Sequence, residues 1–314
     1  QRVPPHPGPM NPPSSASIRS APPFPRWAPW FFAAPWLLVF GTFVAWPLVR
    51  SLMLSFMQTY GPGTTTYVGG DNFRYLFHDP LFYRALWNTF LFTLGSVFIQ
   101  LPIALGLALL LNRPTLRGRT VYRLLFFLPS LVGLVFAGVL VGIMFEKRTG
   151  LIDAGLHALF AGWDPDFPWL EQYVMPSLIL AGVWLYAGFN MVYFLAALQH
   201  VSPELLDAAA IDGAGHWQRF RHVTLPEIRP VAGLVVLMSI AGSFQLFELP
   251  YIMFNTTGNP AGPDNSALTV VMYLYQMGFM SGDLGYASAI GWVLAVLLMT
   301  LAALQRWLAR REEY

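Results

Sequence analysis

Six long runs of apolar residues, separated by short polar stretches, dominate the sequence. Each run is close to or longer than the ~20 residues that an α-helix needs to cross a ~30 Å hydrocarbon layer. The chain lacks the alternation typical of membrane barrels, and only helices satisfy their own backbone in lipid. We therefore predict an all-α polytopic membrane protein with six transmembrane helices. The predicted spans are Trp30–Leu48, Leu86–Leu111, Val121–Phe145, Tyr173–Leu198, Val231–Phe254 and Gly285–Leu304.

Proline and aspartate residues add detail to these spans. Pro35, Pro47 and Pro102 lie within predicted spans, where they favour kinks rather than breaks. Asp71 and Asp79, the latter followed by proline, are typical of helix starts on the outer side. The apolar positions after Asp71 fit either a helix lying along the outer membrane surface or one that packs against the next span.

Basic residues are distributed unequally between the two sides of the predicted bundle. With a cytoplasmic N-terminus, 13 of the 18 Lys and Arg residues fall on the cytoplasmic side, and the last outer loop, residues 255–282, has none. Because Lys and Arg accumulate in cytoplasmic loops, both termini are predicted to be cytoplasmic. Residues 1–29 are rich in Pro, Ser and Ala and are interpreted as a disordered tail. The transmembrane domain is then residues 30–308, followed by a cytoplasmic tail, residues 309–314.

The composition agrees with a membrane protein and excludes several kinds of site. Hydrophobic residues make up 55% of the chain and charged residues 11%, against about 25% charged residues in soluble domains. The net charge of +2 and the lack of a basic cluster argue against nucleic acid binding. The chain has no cysteine, no H-E-x-x-H or G-x-S-x-G motif, and only scattered histidines. We therefore predict neither a metal site nor catalytic residues.

The segment between the fourth and fifth spans is more structured than a connector needs to be. Ser202 suits an N-cap, a proline follows it, and Glu204 and Asp207 favour the positive end of a helix dipole. Three alanines then favour helix, and Gly213 is a typical C-cap. We predict a helix of about three turns over residues 203–212.

This short helix has two interpretations. Its small side chains, with Leu205 and Leu206 as apolar anchors, suit a groove on another protein, but a helix capping the inner face of its own bundle has the same composition. The stretch "HWQRFRHV" after it predicts a second short helix with Trp217 and Phe220 on one face.

The same segment resembles the EAA loop of ABC-importer permeases, which reads Glu-Ala-Ala, then Gly, then Ile-x-Leu-Pro. Here an aspartate replaces the glutamate and a valine replaces the isoleucine, at unchanged spacing. The matching residues are Asp207, Ala208, Ala209, Gly213, Val223, Leu225 and Pro226. Other stretches, such as "RGRTVYRLLFFLPSLV" and "SFQLFELPYIM", are similar to carbohydrate-uptake permeases of the maltose and glycerol-3-phosphate type. Such systems usually contain two different permease subunits, and this chain resembles the first of them more than the second.

This resemblance implies a type I ABC-importer permease fold in the bacterial inner membrane and a division of labour between subunits. In the family, the EAA helix is a coupling helix that sits in a cleft of a cytoplasmic ATPase. The implied coupling residues, within a coupling loop at 202–226, are Glu204, Asp207, Ala208, Ala209, Gly213, Val223, Leu225 and Pro226. The implied partners are a second permease subunit, a dimer of ABC ATPases and an extracytoplasmic solute-binding protein.

ATP–Mg is expected on the partner ATPase, and no cofactor is expected on this chain. A phosphate-binding loop needs a lysine that follows glycine. The only lysine, Lys147, follows Glu146 instead.

Polar residues in the later spans are candidates for binding a solute. Gln245 and Glu248 lie one helical turn apart in the predicted fifth span, and a carboxylate within a span usually faces the bundle or a cavity. Amide and carboxylate groups bind sugar hydroxyls and aromatic rings stack on sugars, although polar residues also hold spans together. The candidate solute-binding residues are Phe244, Gln245, Glu248, Tyr251, Asn190 and Tyr186.

We therefore predict the permease subunit of an ATP-driven importer that takes up a sugar or sugar-like solute from an extracytoplasmic binding protein. The alternative is a secondary transporter or channel for a small polar solute. Few ionisable residues lie in the spans to carry a coupled proton, and no inverted repeat is visible. The last outer loop, "NTTGNPAGPDNSAL", either faces the binding protein, as in the family, or is a flexible connector.

Overall fold

The computed structural model describes residues 27–59, 63–160, 162–164, 166–255 and 258–310. The predicted tails therefore lie outside the described residues, except for Trp27, Ala28 and Pro29 at the N-terminal end and residues 309–310 at the C-terminal end. The chain divides into two compact units, residues 1–49 and 50–314.

The described part of the first unit belongs to one long apolar helix. It begins at Ala28, two residues before the predicted start, and comprises α1 (Ala28–Phe40), a π-helical turn (Gly41–Ala45) and α2 (Trp46–Leu54). The last residues of α2 belong to the second unit. A helix that is apolar on every face is typical of a membrane span.

The second unit is helical in its described residues, apart from loops and one short hairpin. The hairpin pairs β1 (Met57–Thr59) with β2 (Thr65–Tyr67) in antiparallel register. The helices are α3 (Asp71–Leu76), α4 (Pro80–Gly95), α5 (Leu101–Leu111), α6 (Arg119–Leu131), α7 (Leu134–Met144), α8 (Leu151–Leu159), α9 (Val174–Gln199), α10 (Pro203–Ile211), α11 (His216–Arg219), α12 (Leu225–Phe244), α13 (Glu248–Asn255), α14 (Val270–Tyr275) and α15 (Leu284–Arg310). Further π-helical turns are Ser96–Gln100, Phe220–Thr224 and Gln276–Met280, and a 3-10 turn is Pro263–Asn265.

Five helices of the described residues are long and apolar enough to cross a membrane. They are Ala28–Leu54, Pro80–Leu111, Val174–Gln199, His216–Phe244 and Leu284–Trp307. The α6–α7 pair, bent by 100°, makes a sixth if it counts as one span. The predicted all-α class with six apolar segments is thus confirmed. The cytoplasmic position of both termini stays a prediction.

Three of the four π-helical turns in the described residues end two residues before a proline. These prolines are Pro47, Pro102 and Pro226. In each case the preceding residue donates its N–H to the carbonyl five positions back, as Leu101 does to Ser96. Proline has no N–H and crowds the carbonyl four residues back, so a wider turn accommodates its ring without ending the helix. The helices continue through Pro35, Pro47 and Pro102, as predicted.

The sharp bend lies instead in the third span, where the sequence analysis predicted none. Val132 and Gly133 are extended, with ψ angles of 132° and 139°. The bend follows Pro129, whose carbonyl accepts the N–H of Val132. The predicted continuous span over residues 121–145 is therefore wrong. Proline explains the weak helix at this point, but the angle depends on packing that local sequence does not encode.

The fifth span also differs from its prediction, which was Val231–Phe254. The helix begins at His216 and ends at Phe244, and α13 begins only at Glu248. Gln245 leaves helical geometry with a ψ angle of 8°. The prediction that Gln245 and Glu248 share one face of a continuous helix is therefore wrong.

The last predicted outer loop contains a buried apolar helix. Within α14, Val270, Met272 and Tyr273 are buried. One side chain of α4 holds the segment before α14: the Asn88 amide donates to the carbonyls of Asn265 and Leu268 at 2.9 and 3.0 Å. The interpretation of residues 255–268 as a flexible connector is therefore wrong for the end of that stretch, where Ala267 and Leu268 are buried in the core.

Asp79 starts α4, as predicted, and has a larger role than a cap. Its carboxylate accepts the N–H of Leu81 at 2.9 Å, the phenol of Tyr286 at 2.6 Å and the phenol of Tyr273. It therefore links the start of α4 to α14 and α15. Asp71 is the first residue of α3, which packs against α15, and Gly70 occupies the N-cap position.

The core consists of three neighbouring apolar clusters. One joins α5, α9 and α12, the second joins α4, α14 and α15, and the third joins α7, α9 and α13. Glycine allows the closest approach, since a Cβ on Gly188 of α9 would lie 1.7 Å from the carbonyl oxygen of Phe126 on α6. This packing holds α4, α9 and α12 side by side.

Candidate transport site

The predicted coupling helix is present as α10 and ends in a Schellman motif. The N–H of Ala214 bonds to the carbonyl of Ala209 at 2.9 Å, and the N–H of Gly213 bonds to that of Ala210 at 3.1 Å. Gly213 has a φ angle of 80°, which is unfavourable for any residue with a side chain. Gly213 therefore sets the direction in which the chain leaves α10.

The second predicted short helix is the first turn of the fifth span. The Gln218 side chain accepts the N–H of Gly215 at 2.8 Å and so fixes the start of α11. The rings of Trp217 and Phe220 pack 5.4 Å apart on one face, as predicted. From His216 the helix continues to Phe244. One turn therefore connects α10 to the helix of the fifth span.

The surface of α10 is open to a partner, since none of its residues is buried. Leu206 packs partly against the cluster of α5, α9 and α12. Leu205 is 47% exposed and Ile211 is 87% exposed. A recess of about 340 Å³ lies beside the Schellman turn, between Ala209 and Arg219. The exposed surface of α10 and its recess thus combine small apolar side chains with charged ones, and docking on a partner stays a prediction.

A cavity of about 230 Å³ lies among the second, fourth and fifth spans, and we call it the polar cavity because seven of its lining residues carry a hydroxyl or an amide. Its lining combines four aromatic rings with amides, hydroxyls and aliphatic groups. The lining residues are Phe92, Ser96, Gln100, Tyr186, Phe189, Asn190, Tyr193, Val235, Met238, Ser239, Gly242, Ser243 and Leu246.

The polar groups of this cavity are partly unpaired. Gln100 is 4% exposed and Asn190 is 8% exposed, yet neither side chain makes a hydrogen bond within the described part of the chain. Ser96 and Ser239, by contrast, bond to each other at 2.7 Å across the second and fifth spans. The amide atoms of Gln100 and Asn190 therefore face the open space of the cavity, where a ligand or water can complete the bonding.

The π-helical turn Ser96–Gln100 shapes one wall of the cavity. It places Ser96 and Gln100, four residues apart, on the same buried side. π-Helical turns occur frequently at functional sites, because they re-aim side chains within an otherwise regular helix.

Comparison with known proteins decides between the predicted classes. Residues 86–314 match the family described as "Binding-protein-dependent transport system inner membrane component". The chain belongs to this family. The permease is therefore a multi-pass inner-membrane subunit of an ABC transport system, and its EAA segment and coupling helix are typical of the family.

Several relatives cover most of the permease. The arabinooligosaccharides transport system permease protein AraP of Bacillus subtilis is 36% identical over 88% of this chain and 86% of the relative. The lactose transport system permease protein LacF of Rhizobium radiobacter is 34% identical over 90% and 94% of the two chains. The sn-glycerol-3-phosphate transport system permease protein UgpA of Yersinia pestis is 32% identical over 92% and 96%.

A solved structure has the same fold as the permease. It is a bacterial alginate ABC transporter in complex with an alginate pentasaccharide-bound periplasmic protein. The TM-score is 0.78 at 25% identity, over 91% of this chain and 94% of the other. The predicted ABC-importer permease fold is thereby confirmed.

The six candidate solute-binding residues fall into two groups in the permease. Tyr186 and Asn190 line the polar cavity. The other four do not: Phe244 is buried in the cluster of α4, α14 and α15, Gln245 and Glu248 are exposed, and Tyr251 packs on other aromatic rings. Glu248 is nevertheless close enough to Tyr186 for an electrostatic interaction.

Sequence reasoning missed Ser96, Gln100, Ser239 and Ser243, which line the same cavity. A signal was present for the first two, since they are polar residues at a spacing of four in an apolar run that precedes a proline. No signal in the sequence indicates that they face the same space as Asn190. That juxtaposition depends on the packing of α4 and α9.

Within the part of the chain that the structure describes, no group of three or more His, Cys, Asp or Glu side chains is suited to a metal ion. The only lysine, Lys147, forms an exposed ion pair with Glu171 at 3.5 Å. Beside it, Arg148 donates to Asp166 at 2.8 Å and lowers the pKa of that carboxyl.

Proposed function

We propose that the permease carries a saccharide inward through its polar cavity, using energy that an ATPase delivers to α10. The relatives named above transport arabinooligosaccharides and lactose by their printed names. Amides, hydroxyls and aromatic rings are the groups that bind sugars, and the cavity is lined with all three. The solute is received from an extracytoplasmic binding protein, as in the alginate transporter complex.

The observation that carries this proposal is the connection between the two candidate regions. The fifth span begins at His216, directly after the turn of the coupling loop, and the same helix supplies Ser239 and Ser243 to the cavity. A rigid helix that moves at one end moves at the other. Displacement of α10 by a partner therefore alters the cavity walls.

We infer the partners of the permease from the exposed coupling loop and from the family to which the chain belongs. The permease binds no ATP of its own and catalyses no reaction, and ATP–Mg resides on a dimer of ABC ATPase subunits. A second permease subunit completes the passage. The coupling residues are Glu204, Asp207, Ala208, Ala209, Gly213, Val223, Leu225 and Pro226.

Solute contacts are assigned to the cavity and its border. Tyr186 and Asn190 contact the solute in the cavity. Phe244 is the last residue of the fifth span, and Gln245, Glu248 and Tyr251 follow it, with Glu248 close to Tyr186. Glu248→Ala tests this border position. Unchanged uptake and unchanged substrate-stimulated ATPase activity remove Glu248 from the site.

The experiment that tests the function is purification of the tagged permease with its complex, followed by reconstitution into vesicles. We expect an ATPase subunit to co-purify and labelled saccharide to accumulate only with ATP and binding protein. Uptake that proceeds without nucleotide, or a permease that retains no ATPase, contradicts the proposal and favours a secondary transporter or channel.

A further inference from the structure

The polar cavity contains no ionisable acid or base of the Asp, Glu, Lys, Arg or His type. All thirteen described lining residues are neutral at physiological pH, and seven of them carry a side-chain hydroxyl or amide. The chemistry of the lining therefore differs from that of sites built for anions, which use Arg or Lys to bind phosphate and carboxylate groups.

An anionic solute would be poorly compensated in this cavity. A phosphate or carboxylate loses strong hydration when it leaves water, and neutral hydrogen bonds alone do not replace that loss. Among the described residues, the carboxylate of Glu248 lies close enough to Tyr186 of the lining for an electrostatic interaction. Its negative charge repels a second negative charge.

Neutral hydroxyl groups, by contrast, can form hydrogen bonds with the side-chain amides that line the cavity. Gln100 and Asn190 each carry an amide with two donors and an acceptor, and both are more than nine-tenths buried without a protein partner in the described residues. Adjacent sugar hydroxyls both donate and accept, so they pair with such an amide completely. The second and fourth spans thus each present one amide to the same cavity.

We propose that this permease admits uncharged saccharides and rejects anionic ones, and that Gln100 of the second span binds the hydroxyls of the solute together with Asn190. The inference rests on the proposed saccharide function and narrows its substrate class. It separates this chain from relatives of similar fold whose printed names specify glycerol-3-phosphate or alginate.

The test is direct binding to the complete importer in nanodiscs without its binding protein, because the binding protein imposes a selectivity of its own. The labelled probes are lactose and arabinotriose as neutral solutes, and lactobionate and sn-glycerol-3-phosphate as anions. We expect the neutral probes to bind at least tenfold more tightly than the anions. Equal or tighter binding of either anion overturns the charge selectivity.

Substitution of Gln100 tests whether its side chain binds the saccharide. Gln100→Leu keeps the approximate volume and removes the amide, so we expect saccharide binding to weaken at least tenfold with an unchanged midpoint of thermal unfolding. Gln172→Leu, at an exposed position outside the cavity, is the matched control and should bind normally. Normal binding by Gln100→Leu overturns the role of Gln100.

Two further outcomes remain informative. If Gln100→Leu does not assemble, Ser243→Ala removes another cavity hydroxyl, and we expect a severalfold loss of saccharide binding; no loss overturns the assignment of the cavity. If no probe binds although the vesicles take up saccharide, the cavity is not the binding site, while the importer function stands. Absence of saccharide uptake overturns both proposals.

Discussion

The coupling loop and the polar cavity differ in how their structure is encoded. The coupling loop is exposed, local in sequence and held by backbone caps at Gly213 and Gly215. The cavity is buried and draws its walls from three spans that are distant in sequence. A motif defines the loop, whereas only packing defines the cavity.

This difference affects what a substitution does in each region. In the coupling loop, a change acts on an exposed surface, which we propose receives the force of a partner, and it removes little packing from the bundle. In the cavity, a change acts on groups that face the solute and also lie between packed helices. Variants of the two regions should therefore behave differently in assays that measure transport and assembly of the complex side by side.

The largest effect is expected from Gly213→Pro. Gly213 has a φ angle of 80° and donates its N–H to Ala210, and proline provides neither. We expect uptake to fall to background while membrane insertion and the yield of protein stay normal. Ala209→Trp, beside the recess of the coupling loop, should have the same result.

The matched control for Gly213→Pro is Gly233→Ala within the fifth span. A Cβ at Gly233 meets no atom within 4 Å, so uptake should be retained. Normal uptake by Gly213→Pro and Ala209→Trp would remove the coupling assignment.

The second prediction compares two amides. Asn190→Leu removes an unpaired cavity amide, and we expect roughly tenfold slower uptake, which corresponds to the loss of about 1.4 kcal/mol of hydrogen bonding. Gln245→Leu alters an exposed amide outside the cavity that bonds to Ala241 at 3.2 Å. Uptake assays with both variants locate the site, since a larger loss from Gln245→Leu would place it at the end of the fifth span.

The third prediction separates paired from unpaired buried polar groups. Asp79 has three partners, including Tyr273 and Tyr286, so its role is structural. Asp79→Asn should lower the free energy of unfolding by about 1–3 kcal/mol. Uptake per folded complex should stay close to that of the wild type. A change in solute affinity without loss of stability would contradict this assignment.

The smallest effect is expected at the exposed Arg148–Asp166 pair. Arg148 lowers the pKa of Asp166, so the pair stabilises the fold above the usual range of a carboxyl pKa, and this contribution is lost as pH falls through the lowered value. Asp166→Asn should shift the midpoint of thermal unfolding by no more than about 1 °C at pH 7, and the difference should vanish in acid. A large change in uptake by Asp166→Asn would contradict this expectation, because it would show that exposed residues outside the coupling loop also control transport.

The features that could be predicted from the sequence are those set by residues close to one another along the chain. The Asp79–Pro80 helix start and the Gly213 cap are set by short-range hydrogen bonds, and the spans follow from the length of apolar runs. The bend at Val132–Gly133 and the end of α12 at Phe244 were missed. The bend and the helix end both depend on which helices pack together. An uninterrupted run of apolar residues contains no signal for the position of a bend.

The candidate site shows the same limit. Asn190 and Tyr186 were identified because they are polar or amphipathic residues in an apolar span, and they line the cavity. Gln245 and Glu248 fit the same rule, but the fifth span ends before them. Gln100 was missed because polarity alone did not distinguish a cavity residue from one that joins two helices.

The most direct test of the account is a crosslink from the coupling helix. The chain has no native cysteine, so Ala210→Cys introduces a single reactive site on the exposed surface of α10. In native vesicles a short crosslinker at this position should capture a nucleotide-hydrolysing subunit, whereas Leu159→Cys on α8 should not. Failure of Ala210→Cys to capture an ATPase, in vesicles that still import solute, would contradict the claim that a partner drives transport through this helix.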